Sequence, residues 1–195
     1  MVCEFSFRDS HFIYYFFLES GLHKLRRKAL PPLPVDQLFV IPPVYQNTYD
    51  DEPFLIYDKR KSHYGGRLLM FASEEQLNVL FQSEVLFADG TFKVCPKLFE
   101  QLYVILAITN GEGRFFRNGS LYLLLSLFHM FLAVPVCFAL TSNRRHQTYE
   151  AMFRRLKKMA VDMGSDFKPS TIVCDFEHAF MNAVEKEVCQ LLFSF

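Results

Sequence analysis

The sequence predicts an α/β domain built on a mixed sheet. Apolar runs of strand length recur along the chain, other segments carry apolar residues at helical spacing, and the two kinds are interleaved. In 195 residues this makes one domain with a full core, because two would each be small.

The elements follow in chain order. Residues 1–48 read as an N-terminal helix and a Pro-rich lead-in. The first 30 or so mix aromatics with the basic cluster Lys24, Arg26, Arg27 and Lys28, a solvated helix end or a DNA-contacting patch. This start lacks the basic opening of a signal peptide, and its acidic residues argue against a transit peptide. "ALPPLPVDQLFVIPP" is a Pro-punctuated connector, extended or polyproline-like. "PFLIYDKRKSHYGGRLLMFAS" predicts two short strands joined by a polar loop containing Gly65 and Gly66. "SEEQLNVLFQS" predicts a helix with Ser73 as N-cap, Gln76 completing a capping box, and an apolar face of Leu77, Leu80 and Phe81.

Next come the strand that holds Asp89, the strand in "FEQLYVILAIT", and a buried strand in "VPVCFALTS". "RRHQTYEAMFRRLKKMAVDMG" predicts an amphipathic helix. Its apolar stripe is Tyr149, Met152, Phe153, Leu156, Met159, Ala160 and Met163, and Gly164 ends it. Thr171 to Cys174 is a further strand, delivering Asp175 into the start of a last helix.

Residues 112–133 interrupt this order. Strands 101–108 and 134–141 read as hairpin partners, and Asn110-Gly111 supplies a hairpin turn signal. The turn is followed by a Phe- and Leu-rich segment without a strand period, where hairpin loops usually run to about five residues. It reads as an insert outside the core sheet, of translated-intron type, whose deletion should raise solubility. Together with the next strand it makes a nearly uncharged run over 120–141, close to the length of a membrane span, although Pro135 lies inside it.

Charge is balanced, 21 basic against 21 acidic residues, so no global field points to nucleic acid or membrane. Phe is abundant at 23 and Trp is absent. The five cysteines are scattered without a C-x-x-C pair, which predicts buried, reduced thiols of an intracellular protein and no zinc site.

Asp89 and Asp175 are the candidate catalytic and metal-binding residues. Each closes an apolar strand, and ligand sites of open α/β sheets gather at strand ends. Carboxylates on neighbouring strands can hold divalent cations for phosphoryl transfer, and oxygen ligands select Mg2+ or Mn2+ over zinc. Two strand-end aspartates without a metal are the alternative. Glu177 reads as a helix N-cap, where negative charge is favoured, and metal binding is its alternative. Lys93 is a solvated strand lysine or a phosphate contact. Arg144, Arg145 and His146 are an exposed basic loop or a contact to a DNA backbone. His178 and Asn182 are surface or packing residues, and Gln101 and Tyr103 belong to sheet packing.

The motifs DGTF, P-x-x-F-x-Q-L-Y, VP-x-x-F-A-L, T-Y-x-x-M-F and D-F-E-x-A occur in order, over roughly residues 50–111 and 134–188. In them the chain resembles the transposase domain of Mutator-like elements, the MULE family. The upstream "FLIYDKRK…GGRLLMFASEEQLNVLFQSE" is similar to the lead-in of members that carry FLYWCH-type zinc fingers. The resemblance implies an RNase H-like fold with a DDE transposase core over 49–195, incomplete at the C-terminus. It also implies metal-bound carboxylates that cleave and transfer DNA strands, with Mg2+ or Mn2+ as cofactor, DNA as partner, a possible homo-oligomer and a nuclear location. Asp89 is then the first acid and Asp175 the second. The third, a glutamate on a late helix, and the C-x-x-H pair before it have no counterpart before Phe195, so no strand-transfer activity is expected. The alternatives are a domesticated, non-catalytic DNA- or protein-binding module and a membrane protein using the 120–141 run.

Overall fold

The computed structural model describes residues 28, 30–60, 65–109 and 132–188. The chain divides into two units, 1–35 and 36–195; of the first, residues 30–35 are irregular. The helix expected in the first 30 residues, apart from Lys28 and Leu30, and residues 110–131, with the Asn110-Gly111 turn signal, lie outside the described residues.

The second unit carries a mixed sheet with three helices, the α/β architecture expected. Strands β1 (Leu55–Lys59), β2 (Leu68–Phe71), β3 (Val85–Thr91), β4 (Gln101–Thr109), β5 (Leu132–Thr141) and β6 (Thr171–Cys174) stand in the order β1-β2-β5-β4-β3-β6. Helix α1 (Glu74–Gln82) follows β2, α2 (His146–Asp162) joins β5 to β6, and α3 (His178–Glu187) follows β6. Strands β3, β4 and β5 form an antiparallel meander, while β6 lies parallel to β3.

Local chemistry explains the boundaries. Ser73 accepts from the backbone N–H of Gln76 at 3.2 Å, and the Gln76 amide oxygen accepts from the Ser73 N–H at 2.9 Å, closing the predicted capping box. Helix α2 stops at Gly164, whose φ of +68° suits glycine best. Pro135 sits inside β5 without breaking the sheet. Ile105 pairs with Cys137 and Leu106 with Pro135, leaving Val136 as a bulge, and β2 pairs only with Phe138–Thr141 of β5.

One boundary is corrected. Leu132 and Ala133, assigned by sequence to the insert, pair with Thr109 and Ile108 and belong to β5. Their apolar neighbours on both sides hid the start of the strand. The run 120–141 therefore ends in sheet, and among the described residues no helix is long and apolar enough to cross a membrane.

All three helices pack on one face of the sheet. Leu68, Met70, Leu86, Ala88, Tyr103, Ile105 and Ala107 meet Leu77 and Leu80 of α1, Met152, Phe153 and Leu156 of α2, and Phe180 of α3. The predicted stripe of α2 is the buried one, with Met159 and Met163 at its margin. On the opposite face a smaller cluster forms around Leu69, Ile41 and Phe99, flanked by Phe39 and Leu140. The end of the Pro-rich connector thus packs on the sheet and is more than a spacer.

The cysteines depart partly from expectation. Cys137 is buried and its thiol is pushed up to about 12 by burial, whereas Cys95 and Cys174 are only half-buried.

Ion pairs lock α2 to α3. Glu150 accepts from Arg154 at 2.9 Å and Lys186 at 2.8 Å, and Glu187 accepts from Arg154 at 2.7 Å and Lys157 at 2.6 Å. Burial alone would raise the Glu187 carboxyl, but Lys157 and Arg154 outweigh it and hold it below the usual carboxylate range. A lowered folded pKa favours folding at any pH where the unfolded carboxylate is ionised. That contribution is full above the unfolded value of about 4.3 and is lost as pH falls through the folded one. Glu187→Gln should therefore lower stability near neutrality and flatten the acid limb of a stability–pH profile measured by urea unfolding. An acid limb identical to that of the parent would contradict the assignment.

Candidate metal centre

Asp89 and Asp175 stand at the same end of neighbouring strands. β3 and β6 run in parallel register from Val85↔Thr171 to Ala88↔Cys174, so each aspartate is the residue after the last pair. Adjacent strands lie about 4.8 Å apart, which sets the scale of the backbone separation at this point. Alternation along β3 puts Leu86 and Ala88 in the helix-covered core and leaves Asp89 exposed. Asp175 is exposed as well.

One detail of the sequence reading changes. Asp175 closes its strand, but Asp89 does not: β3 continues to Thr91, and Asp89 pairs with Val104 of β4. Asp89 is strand-terminal only toward β6. The glycine that follows it explains part of the Asp-Gly pair. A Cβ on Gly90 would run into the side-chain amide of Gln101, with Cδ at 2.8 Å, and would crowd Tyr103 Cδ2 at 3.2 Å.

Gln101 needs that space because it is buried and accepts from the Tyr149 hydroxyl at 2.8 Å. The same hydroxyl lies 2.6 Å from Glu177 Oε1, which also accepts from Arg144 Nε at 3.3 Å. Burial, then the hydrogen bond to Glu177, raises the Tyr149 phenol above its ordinary range. Tyr103 stacks on Phe180 with centroids 4.7 Å apart, and burial holds its phenol high as well.

Gly90→Ala should displace the Gln101 amide, strip Tyr149 of a partner and lower unfolding stability by about 1–3 kcal/mol. Shortening the obstacle, as in Gly90→Ala with Gln101→Ala, should recover part of the loss. Chemical denaturation of the single and double variants checks this, and a fully stable single variant would contradict it.

Several residues take places the sequence did not show. Glu177 occupies the N-cap of α3, but its carboxylate makes no capping hydrogen bond and is held by Tyr149 and Arg144. Lys93 lies in the turn after β3, not in a strand, and is exposed. Arg144 is not merely a solvated cation, because its guanidinium also lies 4.9 Å from the centroid of Phe92. Arg145 and His146 are exposed at the start of α2, and His178 and Asn182 are exposed on α3.

The two aspartates suit a hard divalent cation. Carboxylate oxygens are its preferred donors, and Mg2+ is commonly held by one or two carboxylates with water and phosphate completing an octahedron. Among the described residues no third His, Cys, Asp or Glu gathers with them into a metal-holding group. Glu177 is already engaged.

Residues 116–192 match the MULE transposase domain family. The matched stretch takes in β5, α2, β6 and α3, and with them Asp175, while Asp89 lies before it. It begins inside the segment read as an insert. No curated protein and no solved structure matches the chain.

Proposed function

We propose that this is a transposase-derived protein of MULE type that keeps a two-carboxylate cation site but has no strand-transfer activity of its own. The observation that carries the reading is the placement of Asp89 and Asp175 one residue past the last pair of neighbouring parallel strands. The antiparallel meander β3–β5, followed by a helix and a parallel strand beside β3, supports an RNase H-like reading of the sheet. The similarity of residues 116–192 supports the transposase ancestry.

In this reading Asp89 and Asp175 each offer an oxygen to one Mg2+ or Mn2+ ion. The bound ion would neutralise a DNA phosphate and polarise its oxygens. The aspartates would hold the ion at the end of the sheet, and the Tyr149–Glu177 pair steadies the first turn of α3 just after Asp175. Two-metal strand cleavage requires both ions to be held, and two aspartates under-coordinate a second one. Binding to DNA without cutting it is the resulting activity, with a nuclear location and self-association following from the same ancestry.

The test incubates purified protein with Mg2+ or Mn2+ and supercoiled or linear DNA. No cleavage above the protein-free control is expected. Cleavage that disappears in Asp89→Ala would overturn the assignment as non-catalytic.

A further inference from the structure

We infer that Phe176 and Phe92 form a stacking platform for unpaired bases beside the aspartate pair, an inference that rests on the DNA reading above. Phe176 directly follows Asp175 and is 94% exposed, while Phe92, in the turn after β3, is 51% exposed. Leaving a phenylalanine in water forgoes about 1.5–3 kcal/mol of burial. One exposed apolar residue is ordinary, but these two follow the ends of the neighbouring parallel strands β3 and β6. Arg144 lies 4.9 Å from the Phe92 ring centroid and 3.3 Å from the Glu177 carboxylate, next in sequence to Phe176. The platform is therefore at the end of the sheet where the acids stand.

The surrounding charges select the occupant. The loop that carries Phe92 also carries exposed Lys93 and Lys97, while the Arg144 guanidinium is paired with Glu177. Aromatic faces set among cations are what sequence-tolerant single-strand binding uses: bases stack on rings and phosphates meet the basic residues. A paired duplex keeps its base faces inside the stack, so it cannot use the rings. The partner is thus a strand with unpaired nucleotides, such as a frayed or flipped-out DNA end. A cation on Asp89 and Asp175 would admit the phosphate next to the stacked base.

The test is fluorescence anisotropy of the full chain in Mg2+ with a short labelled single strand and the corresponding duplex. Phe176→Ala should weaken single-strand binding about tenfold or more and change duplex binding little, while Phe176→Tyr should keep the parent affinity. Phe92→Ala should act in the same direction. Single-strand binding that is unchanged in both alanine variants overturns the platform and leaves the DNA reading standing. Equal weakening for single strand and duplex also overturns it. Failure of the parent to bind either DNA overturns the platform and the DNA reading together. If Phe176→Ala instead converts a dimer to a monomer by size-exclusion chromatography, the surface is an interface between copies and the platform is wrong.

Discussion

Arg67→Ala lowers the unfolding free energy by about 3–5 kcal/mol, the largest loss expected from a single substitution in this protein. The Arg67 side chain is fully buried, and its donors meet protein acceptors. Its Nε and one terminal nitrogen grip Asp58 as a fork at 2.9 and 2.8 Å. The other terminal nitrogen donates to the carbonyls of Gln37 and Phe39, both at 2.8 Å, and the guanidinium lies 4.4 Å from the Phe39 centroid. One side chain thus ties the start of β2 to β1 and to the connector that covers the opposite face of the sheet. Alanine leaves the half-buried carbonyls of Gln37 and Phe39 without this donor and the Asp58 carboxylate with only Arg60, at 3.2 Å. Lysine does not repair this, because a single ammonium cannot reproduce the planar fork. Urea unfolding should show a lower midpoint with an unchanged slope for Arg67→Ala. Combined with Asp58→Ala, the total loss should fall short of the sum of the two single losses. Additive losses would show that the fork contributes nothing beyond its separate halves.

Arg67 also marks the limit of what was legible in the sequence. The strand in "RLLMFAS" was readable from its apolar run, but nothing in a lone arginine after two glycines signals that it is buried. Its partners are Asp58, nine positions away, and two backbone carbonyls in a Pro-rich segment that reads as a spacer. Burial of a charge depends on partners brought by tertiary structure, and local pattern carries no trace of them.

The helices and strands with a strong local signal were read closely. The Ser73–Gln76 capping box, the stripe from Tyr149 to Ala160, and the strand Thr171–Cys174 are all where their patterns put them. The start of β5 was missed because an apolar run continues through it, so periodicity gave no edge. Glu177 takes the N-cap position expected of it, but not a capping hydrogen bond. An acid at a helix start predicts capping on electrostatic grounds, and here a tyrosine hydroxyl and a guanidinium compete successfully for the same oxygen. Tyr149 itself was recognised only as part of an apolar stripe. Its hydroxyl, facing Gln101 and Glu177, could have been suspected from the rule that buried tyrosines find a polar partner. Asp89 and Asp175 were singled out because strand-end acids are easy to see. Their adjacency was expected from their matched strand-end setting and the family resemblance, and the parallel pairing of β6 with β3 supplies it.

That adjacency has an energetic consequence. Two exposed carboxylates at the ends of adjacent strands repel weakly, because water and salt screen them. Without a cation the pair is a small burden on the fold, and a divalent ion removes it. Asp89→Asn or Asp175→Asn should therefore raise the melting temperature slightly in EDTA. The same variants should lose the stabilisation that added Mn2+ gives the parent, since a ligand binding only the folded state stabilises it by mass action. A structural pair of acids with no cation would gain from the asparagine in both conditions alike.

The most direct test is Mn2+ binding to the full chain, followed by electron paramagnetic resonance of the free ion. The parent should bind Mn2+ in competition with Mg2+. Either single asparagine variant should weaken binding by about tenfold or more, since even indirect support of a metal ligand is worth about 10–100-fold. The double variant should show no site. Mn2+ bound equally well by the parent and by the folded double variant, or not bound by the folded parent at all, would contradict the claim that Asp89 and Asp175 form a cation site.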